Sequence, residues 1–154
     1  SPAQIAAGVA LGAALGLTPL ANLHTLLIFG LLIVLNVSIA AGLFALLVFA
    51  PVGFLLDPLF DRVGRTLLLD TPALTPLLTT LYNLPGFPYT RFNNSVVLGS
   101  LIGWLVLSLP IYLLARSGVV RYRATLGPRV EASRWYRAVK ASRVYNVYRW
   151  FRPE

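Results

Sequence analysis

The chain contains no cysteine among its 154 residues. That absence excludes a disulfide framework, a thiolate zinc site and thiol redox chemistry. Charge is also scarce, because 12% of the residues are charged, about half of what is typical for a soluble domain. From Ser1 to Asn36 there is no Lys, Arg, Asp or Glu, and 57% of the whole chain is hydrophobic. This composition predicts a small integral membrane protein.

Methionine is absent too, even at the first position. Because translation needs an initiator, we expect a further N-terminal segment before Ser1. The apolar start is unlike a signal peptide, since it lacks a charged first region and continues into a second apolar block.

Four apolar blocks follow one another along the chain: residues 2–17, 20–35, 37–56 and 96–115. The last two are long enough to cross about 30 Å of hydrocarbon, whereas the first two are too short to do so separately. One continuous helix over 2–36 would be about 52 Å long, which exceeds the bilayer. Pro19 has no N–H and disfavours a helical Thr18. We therefore predict a re-entrant helix–break–helix hairpin over 2–36 that enters and leaves on one side.

A broken helix at membrane depth is tolerated only where protein or water covers it. Gly8, Gly12 and Gly16 recur at every fourth position of the first block. This spacing of small residues lets helices approach closely. We expect these glycines to pack the first half of the hairpin against neighbouring helices.

The segment 57–95 is rich in residue pairs that cap helices, because Asp or Thr precedes Pro at Asp57, Thr71 and Thr75. The pattern predicts short interfacial helices near 58–69 and 76–83. Asn93 or Asn94 then caps the last membrane helix, which Pro110 is expected to kink.

The distribution of charge predicts the orientation. Ten of the thirteen basic residues follow Ala115, whereas segment 57–95 holds three Arg and three Asp. Basic segments stay cytoplasmic. We therefore expect a multi-pass, all-α membrane domain over 1–116 in the bacterial inner membrane, with transmembrane helices 37–56 and 96–115. Loop 57–95 is extracytoplasmic, and residues 117–154 form a basic cytoplasmic interfacial tail.

The candidate site residues fall into three groups. Polar side chains at membrane depth, such as those expected at the hairpin tip, are costly and often functional. They can equally satisfy carbonyls freed at a helix break. We favour this structural role for the hairpin tip. A carboxylate pair near 57–61 would also suit acid–base chemistry, although a cap and a solvated face explain it more simply. The hairpin-tip cluster is Thr18, Pro19, Asn22, His24 and Thr25; the outer-interface contacts to lipid or a partner are Asp57, Asp61, Arg62, Arg65, Arg91, Asn93 and Asn94.

The third group lies in the tail, where Pro128 can open an amphipathic helix that runs to about Tyr148. Such a helix would lie on an anionic leaflet, with phospholipid head groups favoured over nucleic acid as its partners. Its lipid contacts would be Arg134, Arg137, Lys140 and Arg143. A single His without nearby carboxylate or Cys ligands predicts no metal site, and no cofactor is expected.

Several blocks resemble those of a family of small bacterial inner-membrane proteins of unknown function. They are G-x-x-x-G-x-x-P-L-x-x-L-H at Gly12–His24, L-D-P-L-F at Leu56–Phe60, L-Y-N-x-P at Leu81–Pro85 and T-R-F-N-N at Thr90–Asn94. Members of this family look similar to proteins whose genes lie beside those of large AsmA-like envelope proteins. These envelope proteins are thought to carry lipid between membranes. The resemblance implies a larger membrane or envelope complex as a partner and identifies no catalytic residue.

Together, these observations predict a non-enzymatic inner-membrane subunit. It would dock a partner such as an AsmA-like phospholipid-transfer protein and help to present lipid to it. The alternative is a small transporter or lipid scramblase that uses the proline-broken hairpin.

Overall fold

The computed structural model describes residues 1–125, and every regular element in that part of the chain is helical. The chain forms two compact units, Ser1–Arg116 and Ser117–Glu154, and all the packing described below lies within the first. The helices are α1 (Pro2–Leu17), α2 (Leu23–Val34), α3 (Ile39–Leu68), α4 (Thr75–Tyr82) and α5 (Ser95–Thr125), with short 3₁₀ turns at Pro72–Leu74 and Phe87–Thr90.

The predicted helix break at Thr18–Pro19 is present. Helix α1 begins on a capping box, in which the Ser1 hydroxyl accepts from the Gln4 amide. It ends at Leu17 because Thr18 takes an extended conformation, which is the preference of a residue before proline. Helix α2 then packs against α1, and Leu15 shares one buried cluster with Leu32.

Helix α1 contacts α3 almost backbone to backbone through its three regularly spaced glycines. A Cβ atom on Gly12 would overlap the backbone of Gly42, and one on Gly8 would overlap the backbone of Ser38, the residue that caps α3. At Gly16 the added atom would lie 2.7 Å from the Cβ of Phe49. Only glycine therefore permits this separation of the two helices.

Helix α5 approaches both α1 and α3. The indole Nε1 of Trp104 donates a hydrogen bond of 2.8 Å to the carbonyl of Ala10 in α1. The Phe60 side chain of α3 packs on Gly103, and Gly99 lies against the Phe60 backbone. Small residues again mark the places where helices meet.

Many large apolar side chains are exposed, whereas several alanines are fully buried. Ala6, Ala13 and Ala14 are 0% exposed, whereas Phe54 is 77% exposed. Helices α3 and α5 are long and apolar enough to cross a membrane, and their most apolar windows are only 17% and 22% buried. The core helix of a soluble protein would be mostly buried. Two candidate membrane-spanning helices are thus present, and lipid would cover their large side chains.

The long helices extend further than the sequence indicated. Helix α3 runs without interruption through Pro51 and Pro58 to Leu68, so the separate helix predicted near 58–69, with Asp57 as its cap, is wrong. Proline removes one hydrogen bond from a helix, but neighbouring helices can compensate for that loss in an apolar layer. Helix α5 likewise passes through Pro110.

Two other predicted helices remain. Helix α4 agrees with the short helix predicted near 76–83. The tail helix predicted over 128–148, with Arg134, Arg137, Lys140 and Arg143, lies outside the described residues.

The close contact of α1 with α3 leads to a test with a matched control. We expect Gly12→Ala to destabilise the fold by about 3 kcal/mol, because the new methyl group meets backbone that cannot move aside. Gly30→Ala should be neutral or slightly stabilising, since nothing lies within 4 Å of its added Cβ. Unfolding by SDS in mixed micelles, followed by circular dichroism, measures both variants. Equal losses in the two variants would contradict the packing.

Candidate functional site

The turn between α1 and α2 is held by side chains that replace the lost helical hydrogen bonds. The Nδ2 of Asn22 donates to the Pro19 carbonyl at 2.6 Å, and the Thr25 hydroxyl donates to the same oxygen at 3.2 Å. A carbonyl freed by a helix break needs such partners wherever water is excluded. Asn22 and Thr25 therefore have a structural task at this turn.

His24 differs from these neighbours in making no hydrogen bond of normal geometry, although the Thr90 backbone lies close to its ring. It is only 8% exposed, and neither ring nitrogen has a hydrogen-bond partner within residues 1–125. The Thr18 hydroxyl and the Oδ1 of Asn22 are likewise buried without a partner in this part of the chain. Unpaired buried polar atoms are rare and costly, so the hairpin tip carries more polar groups than its turn requires.

The loop between α4 and α5 covers this tip. The His24 ring lies 5.3 Å from the ring of Phe92, and Phe92 in turn meets Phe87 edge-on at 5.4 Å. Tyr82 extends this row of rings from the end of α4. The hairpin-tip cluster and the T-R-F-N-N block therefore belong to one place in the fold.

The backbone of the covering loop turns sharply at two residues. Gly86 and Arg91 have positive φ angles of 88° and 56°. Arg91 therefore adopts the left-handed conformation although it is not a glycine. The Arg91 side chain is exposed, as is that of Asn93. Asn94 instead caps α5, because its Oδ1 accepts from the amides of Val96 and Val97, which settles the choice between the two asparagines.

The acidic and basic residues of α3 do not form a single cluster. Asp61 accepts from Arg65 at 2.7 Å and also from the Ser95 hydroxyl, so it joins α3 to the start of α5. Arg62 is exposed to the surroundings. Asp57 takes no part in the Asp61–Arg65 pair and instead lines a groove beside Thr18.

Two open grooves flank the Pro19 turn. The first has a volume of about 230 Å³ and carries Thr18 and Asp57 on its lining. The second has a volume of about 300 Å³ and includes Thr25. Leu15, Leu20 and Leu46 line both grooves, so the walls are apolar and the polar groups are few. Such surfaces suit an amphiphilic molecule better than a fully polar one.

A third groove lies under the covering loop, away from the turn. Its volume is about 250 Å³, and it is bounded by the end of α3, by α4 and by the row of aromatic rings. Within residues 1–125 no three His, Cys, Asp or Glu side chains are grouped so as to hold a metal ion.

Comparison with known proteins places these blocks in a bacterial family. Residues 1–125 match a family described as an uncharacterized protein conserved in bacteria. The chain belongs to this family, DUF2062. An uncharacterized protein of Treponema pallidum (strain Nichols) is 33% identical over 129 residues, which cover 84% of this chain and 79% of the relative. No solved structure matches the chain. The resemblance to a bacterial family of unknown function is thereby confirmed.

In this DUF2062 protein, sequence reasoning missed the groove position of Asp57 and the contact of His24 with Phe92. The first was hidden because the Asp-Pro pair predicted a cap, whereas α3 continues through it. The second depends on two segments far apart in the chain. Its one sequence signal was the aromatic residue inside the T-R-F-N-N block.

The unequal bonding at the hairpin tip gives a second test. Asn22→Ala should destabilise the DUF2062 fold by about 1–2 kcal/mol, because the Pro19 carbonyl loses the shorter of its two part-buried hydrogen bonds. His24→Phe should cost less than about 0.5 kcal/mol, since only a weak contact with the Thr90 backbone is lost and the ring contact with Phe92 is kept. SDS unfolding compares the two variants. If His24→Phe lost as much stability as Asn22→Ala, the result would show that hydrogen bonds hold the His24 ring in place.

Proposed function

We propose that this protein is a non-enzymatic inner-membrane subunit that binds phospholipid at its hairpin tip and presents it to an envelope partner. The partner would be a larger lipid-transfer protein of the AsmA-like kind. The observation that carries this proposal is the pair of apolar grooves beside a tip rich in unpartnered polar atoms.

The lengths and contacts of the helices favour a re-entrant hairpin. With 16 and 12 residues, α1 and α2 are about 24 and 18 Å long, too short to cross a bilayer individually. The amide of Ser38 donates to the Gln4 carbonyl at 3.1 Å. The start of α3 therefore lies beside the start of α1, which is the contact expected of a hairpin that returns the chain to the side where it began.

The charge of the chain supports one orientation for this arrangement. The ten basic residues after Ala115 favour a cytoplasmic C-terminus. In that orientation the hairpin tip reaches toward the outer leaflet, and the loop with Phe87 and Phe92 covers it from outside. The grooves then open where lipid would leave the membrane for an envelope protein. The basic tail would hold anionic lipid on the cytoplasmic face.

The test is isolation of the tagged protein from bacterial membranes in mild detergent, with mass spectrometry of the proteins and lipids that accompany it. We expect phospholipid and one envelope protein to co-isolate. Leu46→Phe should deplete the lipid because Leu46 lines both grooves. The neighbouring Leu47 is exposed and outside both grooves, so Leu47→Phe is the control. Isolation with neither lipid nor partner would reject the proposal.

The unpartnered atoms of Thr18, Asn22 and His24 favour a second candidate, a small transporter or lipid scramblase. Discontinuous membrane helices commonly form substrate sites. The same preparation, reconstituted into vesicles, separates the two functions. Lipid or solute flux that is lost in His24→Ala would support transport. A protein that binds lipid but moves none under any gradient would support the presenting subunit.

A further inference from the structure

The groove beside Thr18 and Asp57 has a polar end and an apolar length. Leu15, Leu20 and Leu46 form its walls together with Phe54. From Leu46 to Asp57 the groove follows α3 for about 16 Å. Asp57 itself lies about 27 Å along α3 from Ile39, close to one hydrocarbon thickness. In the proposed topology, with Ile39 at the cytoplasmic boundary, the carboxylate would lie at the level of lipid head groups, with the apolar walls below it.

Asp57 is a carboxylate without a cation. It is half-buried, yet within residues 1–125 it takes part in no ion pair, whereas Asp61 one turn later bonds both Arg65 and Ser95. A charged group at the edge of an apolar layer is stabilised by a partner of opposite charge. The Thr18 hydroxyl on the same lining is 3% exposed and also lacks a partner.

We infer that this groove binds a phospholipid whose head group ends in a primary ammonium, with that ammonium on the Asp57 carboxylate. An ammonium donates charge-assisted hydrogen bonds to a carboxylate, which a trimethylammonium group cannot do because it has no N–H. A head group with net negative charge would be repelled. The groove would hold the head group and the first part of one acyl chain. This inference rests on the lipid binding proposed above and names its class.

The test offers the purified full chain an equimolar mixture of phosphatidylethanolamine, phosphatidylcholine and phosphatidylglycerol with identical acyl chains. Native mass spectrometry then gives the ratio of bound lipids. We expect phosphatidylethanolamine to be enriched about tenfold over each competitor, the scale of one charge-assisted hydrogen bond. Asp57→Asn should abolish that enrichment, and Asp57→Glu should keep most of it.

Two further variants control for charge and for space. Asp70→Asn removes an exposed carboxylate outside the groove and should leave the ratio unchanged. Ala50→Phe introduces a ring at an exposed position of the groove lining and should lower the total lipid bound without changing the charge at Asp57. It tests whether the groove is where the lipid binds, even if Asp57→Asn does not fold.

The outcomes separate this inference from the proposed function. Lipid bound by the wild-type chain without preference, or a preference that survives in Asp57→Asn, would overturn the inference and leave lipid presentation standing. The inference also falls if Ala50→Phe binds as much lipid as the wild-type chain. Absence of any bound lipid would reject both.

Discussion

Backbone groups freed where a helix breaks inside an apolar layer have no water to bond, so they need partners within the protein. At the Pro19 turn, Asn22 and Thr25 supply those partners to the freed carbonyl. In the proposed re-entrant hairpin, α3 would cover the turn, because α1 contacts α3 at glycine distance, with Gly12 against Gly42. Packing by a neighbouring helix and hydrogen bonds at the tip thus both serve to satisfy backbone groups that water cannot reach.

The same contact determines where polar and apolar groups are placed. Small residues occupy the contact of α1 with α3, and large apolar side chains such as Phe44 and Leu47 face outward, where lipid would meet them. Polar groups collect at the tip instead, and the loop with Phe92 closes over His24. In our proposal the grooves beside this tip hold lipid because they join a polar end to apolar walls. Function then follows from a packing requirement rather than from a catalytic group.

The local features of this fold could be predicted from the sequence. Pro19 breaks a helix by covalent geometry, and the spacing of Gly8, Gly12 and Gly16 indicates close helix contact. The all-α class and the two apolar helices followed from composition and length. The continuation of α3 through Pro58 could not be predicted, because packing there overrides a local preference.

Contacts between distant segments could not be predicted from the sequence, for a different reason. One sequence contains no information that pairs His24 with Phe92 or Trp104 with Ala10, since neither contact has a local pattern. The position of Asp57 on a groove depends on the direction of a helix that was expected to end before it. The candidate site was therefore predicted as separate clusters, and the fold brings the tip and the loop together.

The most direct test of the central claim is the sidedness of the hairpin's two ends. Because the chain has no cysteine, single-cysteine variants Ser1→Cys, Asn36→Cys and Asn83→Cys can be labelled in intact cells with a membrane-impermeant maleimide. The account predicts that Ser1→Cys and Asn36→Cys react only after the inner membrane is opened, whereas Asn83→Cys in the covering loop reacts from outside. Labelling of Ser1→Cys and Asn36→Cys from opposite faces would contradict the re-entrant hairpin.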